Sequence, residues 1–161
     1  MKNITIDGYA FPGGKTHALT LSYDDAQIHD RRFVELLNKY GIRSTFHINS
    51  GKLDTENFVS AIEVSELYKG HEIAAHTVNH PFLTHLPYEQ IVSEILDDRR
   101  YLEDLAGVPV RGFSYPFGHF NDKIVALLPA CGIDYARTIL SHQQFRAPDD
   151  FLLWHPTCHH N

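Results

Sequence analysis

Only two cysteines, Cys131 and Cys158, stand in a chain of 161 residues. They are too few and too far apart for a disulfide framework, and both read as buried thiols. No run of lysine or arginine offsets the formal charge of −6, which argues against binding by neutralising many phosphates, and so against nucleic acid as a partner. No apolar stretch approaches the ~18 residues that a membrane span needs. The polar start Met1 to Gly8 lacks a signal-peptide pattern, which points to the cytoplasm, or to a secreted or cell-envelope protein if a signal segment was removed. No internal repeat, low-complexity tract or Pro/Ser linker divides the chain, so residues 1–161 read as one domain. Hydrophobic residues make up 43% of it, enough for a packed core. Nothing in the sequence bears on oligomeric state.

One residue type is in excess. The chain carries 12 histidines where about four would be ordinary for this length. Imidazole binds metals and titrates near neutrality, so the excess points to metal or proton chemistry, with most of the twelve as surface residues without a role.

Short β-branched runs alternate with longer segments that repeat apolar residues every three or four positions, the pattern of successive βα units. Strands are predicted near Ala18 to Tyr23, Arg43 to Ile48, His71 to Ala75, Val110 to Ser114 and Ile133 to Ile139. The first helix is predicted from an Asp30 N-cap, with Phe33, Leu36, Leu37 and Tyr40 inward and Gly41 at its end. A second runs from about Thr55 to Tyr68, with Phe58, Ile62 and Leu67 inward. The third and longest spans Pro87 to Ala106, with Tyr88, Ile91, Ile95, Leu102 and Leu105 inward, and the fourth Asp122 to Ala130. This alternation implies an α/β fold with a parallel sheet, either open or closed into a barrel. A complete eight-fold barrel needs about 250 residues, so only part of one fits, and late strands are expected to be missing. The histidine- and proline-rich tail from Ser141 onward does not read as a helix.

In both parallel architectures functional groups gather at the carboxyl ends of the strands, and three polar clusters fall there. The first is Ser22-Tyr23-Asp24-Asp25. Adjacent carboxylates repel and call for a positive partner, unless one merely caps the next turn. The second is His76-Thr77-Val78-Asn79-His80, whose spacing of four lets both imidazoles reach one metal, while Pro81 confines the pair to a strand-end loop. Two histidines and a carboxylate leave coordination positions open, as a catalytic site requires. A second aspartate free of the metal can then take a proton from water. The third cluster, Arg111 to Gly118, could supply an arginine to a carboxylate and backbone N–H groups from a proline-glycine turn, although a plain strand followed by a turn reads equally well.

Ser22-Tyr23-Asp24-Asp25-Ala26 resembles the Thr-Phe-Asp-Asp-Gly motif of the polysaccharide deacetylase family of carbohydrate esterases. His76 to His80 is similar to that family's His-(Ser/Thr)-x-x-His motif, and Arg111 through Gly118 to its arginine and proline-glycine motif, all in the family's order. The resemblance implies a distorted, incomplete (β/α) barrel. It implies Asp24 as general base, oriented by Arg111, and Asp25, His76 and His80 holding a metal, commonly zinc, with cobalt or nickel as alternatives. It further implies an acetylated glycan as substrate, met by Tyr115, Pro116, Phe117 and Gly118, with the Phe117 N–H facing the oxyanion. Ala26 departs from the usual glycine, Phe117 from the common tyrosine and Tyr115 from a frequent proline. No aspartate-tryptophan motif follows Ile133; Asp134-Tyr135-Ala136-Arg137-Thr138 occupies that region. Leu153-Trp154-His155 imitates the family's late leucine and general-acid histidine, but Pro156 argues against a central strand there, so the acid is either His155 or a residue beyond Asn161, the second alternative implying a C-terminally truncated domain.

Three functions follow from these residues. The first is metal-dependent removal of N-acetyl or O-acetyl groups from a polysaccharide or oligosaccharide, or hydrolysis of a non-sugar amide by the same site. The second is an iron(II) oxygenase, which also uses two histidines and a carboxylate, although the second aspartate favours hydrolysis. The third is a non-catalytic sugar- or metal-binding domain. Tyr9, Phe11, Tyr115, Phe117, Phe120 and Trp154 could stack on sugar faces, though aromatics more often fill cores.

Overall fold

The computed structural model describes Phe11 and residues 13–159. Tyr9, the start Met1 to Gly8 and the tail residues His160 and Asn161 lie outside the described residues. Five parallel strands alternate with four helices: β1 (Ser22–Asp24), α1 (Asp30–Lys39), β2 (Thr45–Ile48), α2 (Val64–Leu67), β3 (Glu72–Ala75), α3 (Tyr88–Ala106), β4 (Gly112–Ser114), α4 (Asp122–Leu127) and β5 (Tyr135–Arg137). The strand order in space is the order in sequence, β1-β2-β3-β4-β5. A doubly wound sheet reverses its order at a switch point. This sheet has none, so right-handed crossovers lay every helix on one face and the sheet curls as part of a (β/α) barrel.

Side chains alternate between the two faces of such a sheet. The register sets Tyr23, Phe46, Ile73, Phe113 and Ala136 on the helical side, and Phe46, Ile73, Phe113 and Ala136 are buried there. Tyr23, Phe33, Phe46 and Tyr68 form one aromatic cluster beneath α1. Asp24, His47, Ser114 and Arg137 occupy the opposite, inner face. The apolar half of each strand therefore fixes the fold and leaves the polar half for the site.

The helices differ from their sequence outlines in instructive ways. Asp30 is buried within the first turn of α1, accepting a 2.7 Å hydrogen bond from the Tyr68 hydroxyl, rather than capping the helix. Tyr40 is exposed. The predicted helix from Thr55 to Tyr68 is broken: Asp54 and Asn57 take left-handed backbones, Val59 N–H bonds Ala26 O, and a Ser60–Glu63 capping box starts the short turn Ala61–Glu63 leading into α2. Ile62 is consequently 89% exposed, not inward. In α3, Ile91, Ile95 and Leu102 are buried as the periodicity predicts, Tyr88 is exposed, and Gly107 ends the helix at φ 68°. Cys131 is buried but Cys158 is exposed, and both are free thiols. Beyond β5, Trp154 makes a single parallel bridge to Arg137, so the tail returns to the sheet edge without forming a full strand.

Candidate active site

The carboxyl ends of all five strands bring the first two clusters together. Asp24 closes β1 and Asp25 follows it with φ 81°, then Ala26 with φ 56°. Two successive left-handed non-glycine residues cost on the order of 1–2 kcal/mol each; the turn they make leaves one oxygen of each carboxylate 3.9 Å from His76 Nε2. His76 follows β3 directly, and the loop to His80 uses left-handed Thr77 and His80, not a helical turn. Asn49, fully buried, donates from its side-chain amide to the His76 and Thr77 carbonyls and so ties this loop to the end of β2.

One ligand atom each from Asp25, His76 and His80 lies within 4.8 Å of the others. Both imidazole Nε2 atoms stand 3.9 Å from Asp25 Oδ1. That oxygen is buried and has no hydrogen-bond partner among the described residues; the Lys52 ammonium approaches it at 3.5 Å. His76 Nδ1 lies 2.7 Å from the Ser114 carbonyl, an acceptor, so that nitrogen carries the proton and Nε2 presents its lone pair to the centre. Burial, opposed by Asp24, holds the His76 pKa down at about 4, and burial with the nearby Lys52 lowers His80. Two neutral imidazoles around a carboxylate oxygen without a hydrogen bond form a donor set that fits a divalent cation such as zinc.

Asp24 stands beside this set with a different environment. Its carboxylate is ion-paired with Arg137, accepts at 3.3 Å from the Ser114 hydroxyl, and has His47 Nδ1 at 3.1 Å. Burial pushes its pKa up, but His47, His76 and Arg137 together outweigh burial and hold it well below the carboxylate range. Asp24 is therefore ionised and available to accept a proton.

Arg137 takes the place that the sequence reading gave to Arg111. The Arg111 residue is exposed at the amino end of β4 and its side chain donates to the Gly132 carbonyl, whereas Asp24 meets Ser114 at the carboxyl end. Alternation explains the exchange, because Arg137 closes β5 on the inner face in register with Ser114. Replacing Arg137 with alanine removes one of the charges that hold the Asp24 pKa down and is expected to raise it, whereas Arg111→Ala should leave it unchanged; carbon-13 NMR titration of the Asp24 carboxyl in both variants checks this.

The third cluster divides. Tyr115 and Pro116 are buried; Tyr115 packs against Phe113 and Phe120 and donates to the Leu152 carbonyl at 2.8 Å, so it holds the fold and does not meet solvent. Phe117 sits 44% exposed at φ 56° on the turn Pro116–Gly118, its ring 4.4 Å from that of His80 and stacked at 4.0 Å on Phe82. The Gly118 and His119 amides bond back to Tyr115 and Pro116, which leaves the Phe117 N–H outside those two turns. Gly118 has φ 67° and a Cβ there would lie 2.2 Å from Ile139, so glycine is required. Of the remaining aromatics, Trp154 packs on Tyr135, and Phe11 is exposed. His155 Nδ1 is engaged by the Thr138 hydroxyl at 2.6 Å and its ring lies 4.1 Å from that of His142; no contact among the described residues joins it to Asp24, Asp25, His76 or His80.

Asp98 has no counterpart in the sequence reading. Fully buried on α3, its carboxyl accepts from the Ser50 and His76 backbone N–H groups, each at 2.8 Å, and pins the ends of β2 and β3 side by side. Burial raises its pKa to about 7 despite those bonds. Asp98 in the folded chain thus keeps its proton where the unfolded chain has lost it, and its contribution to stability falls as pH rises from about 4 to 7. The parent's stability advantage over Asp98→Asn should shrink across that window, measured by urea unfolding at successive pH values.

Known proteins share the sequence pattern and the fold of this chain. A family model described as polysaccharide deacetylase matches residues 12–136. Chitin deacetylase 1 of Cryptococcus neoformans is 30% identical over 70% of this chain and 24% of its own length, and a peptidoglycan-N-acetylglucosamine deacetylase of Bacillus cereus is 25% identical over 66% and 49%. A crystal structure of a Bacillus cereus polysaccharide deacetylase superposes with a TM-score of 0.76 at 23% identity, over 85% of this chain and 45% of that one. The chain thus spans about a quarter to a half of the lengths of these relatives. With its incomplete (β/α) barrel and its strand-end aspartates and histidines, the chain belongs to the polysaccharide deacetylase family.

Proposed function

We propose that this domain is a divalent-metal hydrolase that removes acetyl groups from an acetylated glycan, with N-acetylglucosamine-type sugars as the first candidates and O-acetyl esters or non-sugar amides as the alternatives. The observation that carries this reading is the convergence of Asp25, His76 and His80 around one buried oxygen that has no hydrogen-bond partner among the described residues, with a second, ionised carboxylate, Asp24, beside it. Asp25, His76 and His80 would hold the cation, zinc first, or cobalt or nickel. When bound, it would supply Lewis acidity, polarising the acetyl carbonyl and acidifying water.

Asp24 accepts the proton of the attacking water. Arg137, with Ser114 bridging, fixes the orientation of Asp24 and keeps it charged. The Phe117 N–H faces the developing oxyanion. The Ser114 carbonyl keeps His76 in the tautomer that presents Nε2. The leaving group must be protonated by an acid; the Thr138 hydroxyl engages His155 Nδ1 and leaves Nε2 as the candidate donor, the alternative being a residue beyond Asn161. That no contact among the described residues joins His155 to Asp24, Asp25, His76 or His80 favours, as a second reading, a domain that binds glycan and metal without turnover. Acetate release from a panel of acetylated glycans, with metal-free protein and with added zinc, cobalt or nickel, separates the two. Release that requires metal supports the hydrolase; glycan binding without release supports the second reading.

A further inference from the structure

We infer that His47 is a positioning residue for Asp24, acting with Arg137 to hold one carboxylate oxygen and leave the other for the reaction; the inference rests on the reading of Asp24 as base. His47 lies on β2 in direct register with Asp24, on the same inner face, and is 1% exposed. Its Nδ1 is 3.1 Å from Asp24 Oδ1, the oxygen that Arg137 also holds. The ring is turned off the line of an ideal hydrogen bond, and neither ring nitrogen is otherwise satisfied among the described residues.

A buried imidazole with unsatisfied nitrogens is costly, and phenylalanine would fill the same space without that cost. The strand already places Phe46 on the opposite face, where no polar group is needed. What the imidazole adds over a phenyl ring is one N–H donor beside Asp24. The two Asp24 oxygens then have separate surroundings. Oδ1 is held by a guanidinium from β5 and has the imidazole Nδ1 of β2 beside it at 3.1 Å. Oδ2 faces the Ser114 hydroxyl at 3.3 Å and His76 Nε2 at 3.9 Å, toward the three ligand atoms. With Arg137 alone on Oδ1 the carboxylate can pivot about its last side-chain torsion against the long 3.3 Å Ser114 contact, whereas a second N–H beside Oδ1 from another strand restricts that pivot and keeps Oδ2 toward the site.

Two variants and one spectroscopic measurement test this. His47→Phe keeps the ring and removes the donor; His47→Asn returns an amide N–H near the place of Nδ1. With zinc-loaded protein, His47→Phe is expected to lower kcat about 10- to 100-fold with KM and zinc affinity within about threefold of the parent, and His47→Asn to recover most of the loss. A His47→Phe variant with parental kcat, or His47→Phe and His47→Asn equally impaired, would overturn the inference in favour of a packing role. Nitrogen-15 NMR of the imidazoles gives a readout that needs no turnover. The parent should show His47 protonated at Nδ1, with a resonance that moves in Asp24→Ala; an Nε2-protonated ring indifferent to Asp24→Ala would contradict it. A parent that releases no acetate from any glycan removes the role of Asp24 as base, while the NMR result still decides whether His47 is bound to it.

Discussion

Replacing Asp24 with asparagine should lower kcat for acetate release by about 10²- to 10⁴-fold, the range that a positioned general base supplies, and leave zinc affinity within about threefold of the parent. Asparagine keeps the size of the side chain and an oxygen for the Ser114 hydroxyl, but cannot accept the proton of the attacking water. The ligand oxygen belongs to Asp25, and Asp24 is engaged instead by Arg137 and Ser114, so the metal site should survive. Isothermal titration with zinc and steady-state kinetics on the same preparation give both numbers. Acetate release undiminished in Asp24→Asn would remove the division of labour between the two carboxylates.

His76→Ala should give the opposite pairing of results, with turnover and metal both lost. The His76 side chain is 3% exposed, its Nε2 is aimed at Asp25 and its Nδ1 bonds the Ser114 carbonyl. Removing it deletes one of three ligands, and a loss in zinc affinity of more than about 100-fold is expected, since removing an outer-shell partner alone costs 10- to 100-fold. The Ser114 carbonyl is left without its buried partner, at a cost of about 1–3 kcal/mol. The two Asp98 bonds run to backbone N–H groups and persist in alanine, so the strand ends should stay in place. Circular dichroism and denaturant unfolding would separate that modest loss of stability from the larger loss of metal. A variant that bound zinc with parental affinity would place the metal elsewhere.

What could be read from the sequence were features with local spacing. The strand-end aspartates, the histidines four apart before Pro81, and the positions of the five strands and of three of the four helices all express contacts between near neighbours. The misread segment from Thr55 to Tyr68 carries helical apolar spacing, but Asp54 and Asn57 adopt left-handed backbones and Val59 is drawn onto the loop after β1, a tertiary contact that overrides the pattern. The partners of Asp24 were hidden for the same kind of reason. Arg137 reaches it across 113 residues of sequence, and only the curl of the sheet brings β5 opposite β1. His47 could have been suspected as a polar residue inside an apolar strand, and Asp98 as a carboxylate on the apolar face of α3, although its neighbours Asp97, Arg99 and Arg100 disguise it as part of a solvated run. Tyr115 misled in the other direction, since an aromatic residue beside a site motif turned out to be core, tied to the tail through Leu152.

These distinctions converge on where a cation sits. Crystals of the zinc-loaded protein, with data collected on both sides of the zinc absorption edge, should show one strong anomalous peak within coordination distance of Asp25 Oδ1, His76 Nε2 and His80 Nε2, with Asp24 outside its ligand shell. A peak held instead by Asp24, or by other histidines with the Asp25–His76–His80 centre empty, would contradict the account.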